Sequence, residues 1–206
     1  MAGRIRPATL DDVSSLVAIY TPAVLNTPIT WEYEIPSHED FSSRVKKVFA
    51  GGHPYLVLEN RDGEIVGYAY AGTFRDRIGY RFCCESSIYL RSDAQGQGLG
   101  KLLYSRMLEI LRRQGFVSVI GGLTYPNPAS EALHRSLGFE LIGVFPQIGY
   151  KFNMWHSACF MQKELNPREA PIGESPTSFF ELLAAGKLSD LLGDIAESSH
   201  RGFSHG

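Results

Sequence analysis

The fold of this chain is decided by Cys83 to Leu108, which read C-C-E-S-S-I-Y-L-R-S-D-A-Q-G-Q-G-L-G-K-L-L-Y-S-R-M-L. The first part, Phe82 to Leu90, is typical of a β-strand and carries a carboxylate at Glu85. A glycine-rich turn from Gln95 to Gly100 follows it. Apolar residues then recur at the i, i+3, i+4 spacing of a helix with one buried face. These residues are Leu99, Leu102, Leu103, Met107, Leu108 and Leu111.

This order of strand, turn and helix predicts a site for a phosphate or pyrophosphate group. Glycines at positions 96, 98 and 100 allow a tight turn and a close approach of the backbone to a ligand. The first turn of the helix has unpaired N–H groups and a partial positive charge. Both features favour an anion at the start of the helix. Glu85 lies one strand-length upstream, where it is a candidate proton acceptor.

Two common phosphate-binding motifs do not match the turn. A Walker loop has four residues between its first glycine and its Gly-Lys pair, followed by Ser or Thr. Here three residues separate Gly96 from Gly100, and Leu102 follows Lys101. The dinucleotide motif G-x-G-x-x-G requires a third glycine where this chain has Lys101, and it opens a βαβ unit at the start of a domain.

The turn instead resembles the coenzyme A loop of the GNAT N-acetyltransferases, Q/R-x-x-G-x-G/A, with Gln95, Gly98 and Gly100 in the matching positions. Three further blocks are similar to the phosphinothricin and methionine sulfoximine acetyltransferase branch. They are E-S-S-I-Y-L before the loop, and N-P-A-S-E-A-L-H-R-S-L-G-F and G-Y-K-F-N-M-W-H after it. The resemblance covers roughly residues 4 to 165 and implies acetyl-CoA as the co-substrate.

The resemblance also implies which residues hold the coenzyme. The strand before the turn would pair its backbone with the pantetheine arm, and the turn would bind the pyrophosphate through backbone N–H groups. The predicted coenzyme-binding residues are Ile88, Tyr89, Leu90, Gln95, Gly96, Gln97, Gly98, Leu99, Gly100, Lys101, Tyr104 and Asn127. Asn127 is equally suited to cap a helix, and Tyr104 to pack in the core.

Acetyl transfer to an amine requires a proton acceptor for the amine and benefits from a proton donor for the departing thiolate. Glu85 is the candidate base, because the branch has its catalytic glutamate in the same E-S-x-x-Y context. His134 is the second candidate catalytic residue, since it occupies the position where many GNAT enzymes have a proton-donating tyrosine. The alternatives are a glutamate on a solvent-facing strand and a histidine with a purely structural role.

The resemblance implies an acceptor site as well. Trp31, Arg75, Arg77 and Tyr80 align with pocket positions of the branch, and Arg is suited to bind a carboxylate in a bidentate manner. The branch often has lysine at the position of Arg75, which leaves the preferred acceptor side chain open. The alternative is that the loop T-F-R-D-R is exposed and holds Arg–Asp pairs.

Composition limits the other possible functions. The chain of 206 residues is 44% hydrophobic and 20% charged, as in a globular protein, and its net charge of −2 does not favour nucleic acid binding. We find no apolar run of membrane-spanning length and no signal-peptide core at the N-terminus, so we expect a cytoplasmic protein. Its three cysteines do not suggest disulfides, and its six histidines lack the spacing of metal ligands.

Strand and helix signals predict an α+β fold, with a mixed and mostly antiparallel sheet of about seven strands and helices on both faces. We expect residues 1–165 to form the acetyltransferase domain. Residues 166–206 would form an extension with a linker, an amphipathic helix starting at Ser178 and carrying Phe180 to Ile195, and a frayed end after Ser198.

The combined prediction is an acetyl-CoA-dependent N-acetyltransferase, forming a homodimer and acting on the free amino group of a small amino-acid-like acceptor. Phosphinothricin, methionine sulfoximine and methionine sulfone are the acceptors that the resemblance implies. Two alternatives remain. One is a GNAT enzyme for another amine, such as a polyamine, an aminoglycoside or a protein N-terminus. The other is a coenzyme A-binding regulatory module without turnover.

Overall fold

The computed structural model describes residues 3–168 and 174–195. Its strands are β1 Arg4–Pro7, β2 Tyr55–Glu59, β3 Ile65–Thr73, β4 Cys83–Leu90, β5 Ser118–Tyr125, β6 Glu140–Lys151, β7 Met154–Glu164 and β8 Gly193–Asp194. Its α-helices are α1 Val13–Asn26, α2 His38–Ala50, α3 Leu99–Gln114, α4 Pro128–Ser136 and α5 Phe179–Ala184. Over the described ranges, no helix has both the length and the apolar character needed to cross a membrane.

All eight strands join one sheet in the order β6-β7-β5-β4-β3-β2-β1-β8. Every neighbouring pair is antiparallel except β4 and β5, which run parallel because α3 connects them as a crossover. The predicted fold class, a mixed and mostly antiparallel sheet between helices, is confirmed. The eighth strand is two residues long and comes from the C-terminal extension.

The parallel pair at the centre of the sheet is short. Pairing joins Cys83, Cys84 and Glu85 of β4 to Ser118, Val119 and Ile120 of β5, and it extends no further. On its other side β4 stays paired with β3 up to Leu90, so its second half has one bonded edge and one open edge. The gap between β4 and β5 therefore opens beside Glu85 and widens toward the start of α3.

The helices cover the sheet with two separate cores. α1 and α2 pack on one face, where Leu16, Val45 and Tyr68 are buried. α3 packs on the other face, where Leu103, Met107 and Leu111 have no exposed surface. Successive residues of β4 alternate between these cores, so Glu85 and Tyr89 face the α1–α2 side while Ser86 and Ile88 face the α3 side.

Three predicted boundaries were wrong. The sequence predicts a first helix that ends at about Tyr20, but α1 continues to Asn26 despite Pro22, because Ala23 and Val24 are buried in the α1–α2 core. It predicts late strands from Phe139 to Phe145 and from about Ala158 to Glu164, but β6 and β7 are longer and extend into one hairpin. Phe152 and Asn153 turn this hairpin with φ angles of 52° and 58°.

The helix of the extension is shorter than predicted. α5 ends at Ala184, and Gly186 then turns the chain with a φ of 68°, so the residues up to Ile195 are not helical. Its buried residues are Phe179 and Leu182, whereas the predicted Phe180 is 39% exposed. The extension also adds β8 to the edge of β1. The predicted frayed end after Ser198 lies outside the described residues.

Candidate active site

Glu85 lies at the point where β4 and β5 separate, with glycine on both sides. Gly72 is its cross-strand neighbour on β3, and a Cβ there would meet nothing within 4 Å. On β5, a Cβ at Gly122 would stand 3.2 Å from Oε1 of Glu85 and 3.3 Å from the ring of Phe160. We call Gly72 and Gly122 the glycine floor. The missing side chains leave room for a ligand beside the carboxylate.

The environment of Glu85 suits a general base. Burial raises the pKa of Glu85 above its ordinary value, and the nearby positive charge of Arg75 only partly opposes this effect. A carboxylate with a raised pKa is a stronger proton acceptor than an ordinary one. The structure thus places a half-buried carboxylate next to open space, and its role as general base stays a prediction.

The glycine-rich turn has the backbone conformation expected of an anion site. Gly96 and Gly98 have φ angles of 73° and 78°, a region that favours glycine, and a Cβ on either would meet nothing within 4 Å. Gly98 is the N-cap of α3, and its carbonyl accepts from the amide of Leu102. The backbone amides of the first turn, which come before Leu102, have no partner within the helix and point out of its N-terminal end.

The rest of the predicted coenzyme site is held together by side-chain contacts. Nε2 of Gln95 donates to the carbonyl oxygen of Leu90 at 3.1 Å, and Nε2 of Gln97 donates to the carbonyl of Asp93 at 2.7 Å. The side chain of Leu90 packs so closely on Gly100 that a Cβ there would stand 2.9 Å from it. These side chains shape the turn and leave its backbone amides free for a ligand.

Ser86, Tyr104 and His134 form a buried hydrogen-bond chain on the α3 face. The hydroxyls of Ser86 and Tyr104 are 2.7 Å apart, and the Tyr104 hydroxyl is 3.2 Å from Nε2 of His134. Nδ1 of His134 is 2.8 Å from the carbonyl oxygen of Ser130, to which it must donate. Burial lowers the pKa of His134, so its ring is neutral and Nε2 accepts the hydroxyl proton of Tyr104.

This chain does not touch Glu85. Nε2 of His134 lies close to Gly121, where a Cβ would be 2.6 Å away, whereas Glu85 lies close to Gly122. Adjacent residues of a strand face opposite sides, so the two predicted catalytic residues lie on opposite faces of the sheet. The single N–H of the neutral His134 ring is bonded to Ser130, and a direct role in proton donation stays a prediction.

Asn127 and Tyr104 show the structural roles that were the alternatives for them. Oδ1 of Asn127 accepts from the amide of Ser130 at 3.2 Å, which caps α4. Tyr104 has no exposed surface. Asn127 lies at the start of α4 and Tyr104 lies inside α3, and the contact of either residue with the coenzyme stays a prediction.

Lys151, at the tip of the β6–β7 hairpin, fastens the loop that carries Trp31. Nζ donates to the carbonyl oxygens of Val24, Thr27 and Thr30 at 2.7, 2.9 and 2.9 Å, and the residue is only 2% exposed. An ammonium group has three N–H donors, so every one is bonded. Although burial lowers the pKa of Lys151, this geometry favours its protonated form.

Further contacts hold the same loop against the hairpin. The indole of Trp31 lies on Gly149, where a Cβ would be 2.5 Å from the ring, and the Tyr33 hydroxyl donates to the carbonyl of Tyr150. Oγ1 of Thr124 on β5 donates to the carbonyl of Pro28 at 2.6 Å. The predicted acceptor residue Trp31 therefore sits on a loop whose position is set by the hairpin.

The other predicted acceptor residues lie on the loop between β3 and β4. Arg75 stacks over Phe74 with its guanidinium carbon 5.1 Å from the ring centroid, and Tyr80 contacts the same ring edge-on at 5.9 Å. Arg77 is exposed. The alternative of Arg–Asp pairs is not seen, since neither Arg75 nor Arg77 makes an ion pair with any residue in the described ranges.

Cys83 and Cys84 point to opposite faces of β4, as predicted from strand alternation. Burial raises the pKa of both thiols, that of Cys83 to about 11, so neither is an activated nucleophile. All three cysteines are free, and residues 3–168 and 174–195 contain no cluster that could hold a metal ion.

Sequence reasoning missed the glycine floor and Lys151. One member of the floor, Gly122, does leave a recognisable sign in the sequence. It belongs to the glycine pair Gly121-Gly122 inside a strand, and such glycines often mark a close approach to the backbone. A buried lysine bonded to three carbonyls leaves no such sign, because its partners lie more than 120 residues away.

Comparison with known proteins agrees with this geometry. Residues 5–159 match the family model described as an acetyltransferase (GNAT) domain. The chain belongs to the GNAT acetyltransferases. The GNAT match covers every element from β1 to the first part of β7 and stops before the extension.

Individual relatives extend the comparison. The chain is 38% identical to the L-methionine sulfoximine/L-methionine sulfone acetyltransferase of Pseudomonas aeruginosa, covering 83% of this chain and 100% of that one. It is 35% identical to the phosphinothricin N-acetyltransferase of Alcaligenes faecalis, covering 82% and 86%. A GNAT phosphinothricin acetyltransferase from Sinorhizobium meliloti, solved in complex with AcCoA, is 37% identical with a TM-score of 0.79, covering 85% and 98%.

Replacing Glu85 with glutamine should stabilise this GNAT fold at neutral pH. Folding raises the pKa of Glu85, so its carboxyl group binds a proton more tightly in the folded protein than in the unfolded chain. Ionisation of Glu85 as the pH rises through the folded-state pKa therefore lowers the free energy of unfolding. Glutamine carries no charge at any pH. Thermal unfolding should show E85Q above wild type at pH 7, with the difference vanishing below the ordinary pKa of 4.5. Equal stability at pH 7 would contradict the burial of this charge.

Replacing Lys151 with methionine should cost on the order of 3 kcal/mol in the free energy of unfolding, because three buried carbonyls lose a charged donor. It should also raise the acceptor KM by loosening the loop of Trp31, while the affinity for coenzyme A stays unchanged. Urea unfolding and steady-state kinetics measure the two effects. The control is Lys46→Met on the exposed side of α2. If both variants are equally stable, Lys151 does not fasten the loop.

Proposed function

We propose that this GNAT acetyltransferase transfers the acetyl group of acetyl-CoA to the free amino group of a small amino-acid-like acceptor. The observation that carries the proposal is the gap between β4 and β5. It opens beside a half-buried carboxylate and ends at a glycine turn that begins a helix. The proposed base, a free strand edge and the proposed anion site thus border the same gap.

The residues bordering the gap fit acetyl-CoA. The amides of residues 96–101 would bind the pyrophosphate, since they begin a helix and the turn has no side chain over Gly96 and Gly98. The open backbone edge from Ile88 to Leu90 would pair with the pantetheine arm and leave an N–H for the thioester oxygen. Tyr104 and Asn127 stand at the far side of the gap.

Glu85 would act as the general base. It takes a proton from the acceptor's ammonium or amine group, directly or through a water, and the nitrogen then attacks the thioester carbon. A C–N bond forms, the C–S bond breaks, and the departing thiolate takes a proton. The proton that the attacking nitrogen loses balances this step, and we assign its relay to the thiolate to the buried hydrogen-bond chain that ends at His134, on the face of the sheet opposite Glu85.

The acceptor would bind on the α1–α2 side of the gap. Arg75 and Arg77, which form no ion pair within residues 3–168 and 174–195, would supply guanidinium groups for a carboxylate, and Trp31 and Tyr80 would supply aromatic surface. The names of the relatives support methionine sulfoximine, methionine sulfone and phosphinothricin as acceptors for this chain too. An acceptor with two arginine partners is an anion rather than a polycation.

Thiol release from acetyl-CoA with a panel of amines tests this proposal. Methionine sulfoximine, methionine sulfone and phosphinothricin should release thiol, whereas spermidine and an aminoglycoside should not. Glu85→Gln should lower kcat by roughly 100- to 10,000-fold, because the general base is lost. Coenzyme A affinity should stay unchanged in this variant. Thiol release only with polyamines, or none with any amine, would refute the proposed acceptor class.

Gly98→Val should lower the affinity for acetyl-CoA by about 100-fold, because its side chain displaces the backbone amides from the pyrophosphate. Calorimetry measures the affinity. Gly63→Val is the matched control, since Gly63 has the same φ of 78° and equally open surroundings but lies in the β2–β3 turn. Equal affinities for the two variants would place the pyrophosphate elsewhere.

We also propose that the chain forms a homodimer through the β6–β7 hairpin and works in the cytoplasm, with residues 1–165 as catalytic domain and 166–206 as extension. Ile142, Ile148, Met154 and Trp155 of the hairpin are 57–61% exposed, which is a large amount of exposed apolar surface for one hairpin.

Trp155→Glu should shift the mass measured by sedimentation equilibrium from dimer to monomer, because it places a charge in the apolar contact. Ile78→Glu, at a residue 75% exposed on the β3–β4 loop, is the control and should leave the dimer intact. A wild-type chain that sediments as a monomer would refute the dimer.

A further inference from the structure

Phe160 on β7 faces the same side of the sheet as Glu85. Its neighbours along the strand, Cys159 and Met161, are fully buried in the core beneath α3. Because successive residues of a strand face opposite sides, Phe160 points to the α1–α2 side. It is half-buried there. None of the sequence motifs that indicate the active site includes this residue.

The ring of Phe160 leans toward Glu85. In the strand register, Phe160 stands between two glycines, Gly122 of β5 and Gly143 of β6. A Cβ at Gly122 would lie 3.3 Å from Cε1 of the ring, whereas a Cβ at Gly143 would meet nothing within 4 Å. The same Cβ at Gly122 would lie 3.2 Å from Oε1 of Glu85. One methyl group at this position would therefore touch both the carboxylate and the ring.

A second aromatic ring supports this orientation. Phe145 on β6 contacts Phe160 edge-on, with the ring centroids 5.5 Å apart and an interplanar angle of 90°. Edge-to-face contact is one of the preferred arrangements of two aromatic rings. Phe145 is 45% exposed, so the pair of rings reaches from the surface of the hairpin to the glycine floor.

An aromatic ring beside a carboxylate occupies space in which water would otherwise solvate the negative charge. Loss of this water disfavours the ionised form more than the neutral acid. Burial is the larger of the two effects on Glu85 and raises its pKa, while the positive charge of Arg75 lowers it. The ring of Phe160 contributes to this burial from the β7 side.

Among the described residues, the other titratable groups that sense the charge of Glu85 are neutral at pH 7. They are the thiols of Cys83 and Cys84 on β4 and the hydroxyl of Tyr70 on β3, and burial raises the pKa of each. On β5 and β7 the neighbours are the glycine floor and the ring of Phe160, which do not titrate. The proton affinity of Glu85 is thus set by apolar surroundings against one guanidinium group.

We propose that Phe160 is a positioning residue that acts through Glu85, because its ring keeps water from one side of the carboxylate and so sets the pH range in which Glu85 accepts a proton. The inference rests on the proposed function and deepens it, since it concerns the strength of the base. Phe160 itself forms no bond with either substrate in this role.

A double-mutant cycle on stability tests the inference without an assay of activity. Phe160→Ala removes the ring and admits water, whereas Phe160→Leu keeps a large apolar side chain. At pH 7, Glu85→Gln should stabilise the Phe160→Leu protein as much as the wild type, and the Phe160→Ala protein by about half as much or less. Phe180→Ala, which removes a partly exposed ring on α5, is the matched control and should leave the effect of Glu85→Gln unchanged.

The pH dependence of kcat provides the second readout. Glu85 must be ionised to accept a proton, so kcat should fall as the pH drops through its pKa. Phe160→Ala lowers that pKa, and the acid limb should move by about one unit to lower pH. Phe160→Leu and Phe180→Ala should leave the limb in place. A ring with a purely structural role would lower kcat at every pH without moving the limb.

Two outcomes would overturn the inference while the proposed function stands. One is equal stabilisation by Glu85→Gln in the wild-type and Phe160→Ala proteins, and the other is an unmoved acid limb in an active Phe160→Ala enzyme. If Glu85→Gln leaves kcat unchanged, Glu85 is not the base, and the stability cycle alone decides whether Phe160 excludes water. If Phe160→Ala does not fold, Phe160→Thr takes its place, since a β-branched side chain suits a strand.

Discussion

The separation of β4 from β5 after three residue pairs is the constraint on which the rest of the site depends. If the strands stayed paired, the backbone of Ile88 to Leu90 would be bonded within the sheet and closed to any ligand. On one face the glycine floor leaves space beside Glu85, and on the other the buried hydrogen-bond chain packs against β5 at Gly121. Close packing makes Gly121 and Gly122 intolerant of larger side chains, since a Cβ there would stand 2.6 Å from His134 or 3.2 Å from Glu85.

The acceptor side of the site depends on a second element, the β6–β7 hairpin. Lys151 fastens the loop of Trp31 to the hairpin tip, and the same hairpin presents the apolar surface proposed as the subunit contact. A shift of the hairpin on association would therefore move the acceptor loop with it. Acceptor affinity and association are expected to respond to the same substitutions.

Much of the fold could be predicted because its signals are local. The pair Ser37 and Asp40 resembles a capping box, and Ser37 does cap α2 by accepting from the amide of Asp40. The apolar run from Tyr55 to Glu59 predicts a strand, and β2 has those bounds. The glycine turn and Glu85 were found through a motif that is continuous in sequence. The extent of α1 and the end of α5 were wrong, because burial of Ala23 and Val24 outweighs Pro22 and because Gly186 turns the chain.

The parts of the site that escaped prediction depend on contacts between distant residues. Lys151 and its carbonyl partners meet only after the sheet has formed, and no short pattern records that meeting. His134 could be placed on a helix, but the face of the sheet that it reaches depends on the register of β5. The position of the extension against α3 likewise comes from hydrogen bonds between Gln114 and Thr177, which are distant in sequence.

The short strand β8 has a consequence for self-assembly. A sheet can grow by adding copies of the same chain end to end only when it has two unprotected rims. In this molecule β8 of the extension pairs with two of the four residues of β1, which leaves β6 as the longer exposed rim. The extension therefore restricts rim-to-rim addition on the β1 side, and we expect it to hinder open-ended polymers.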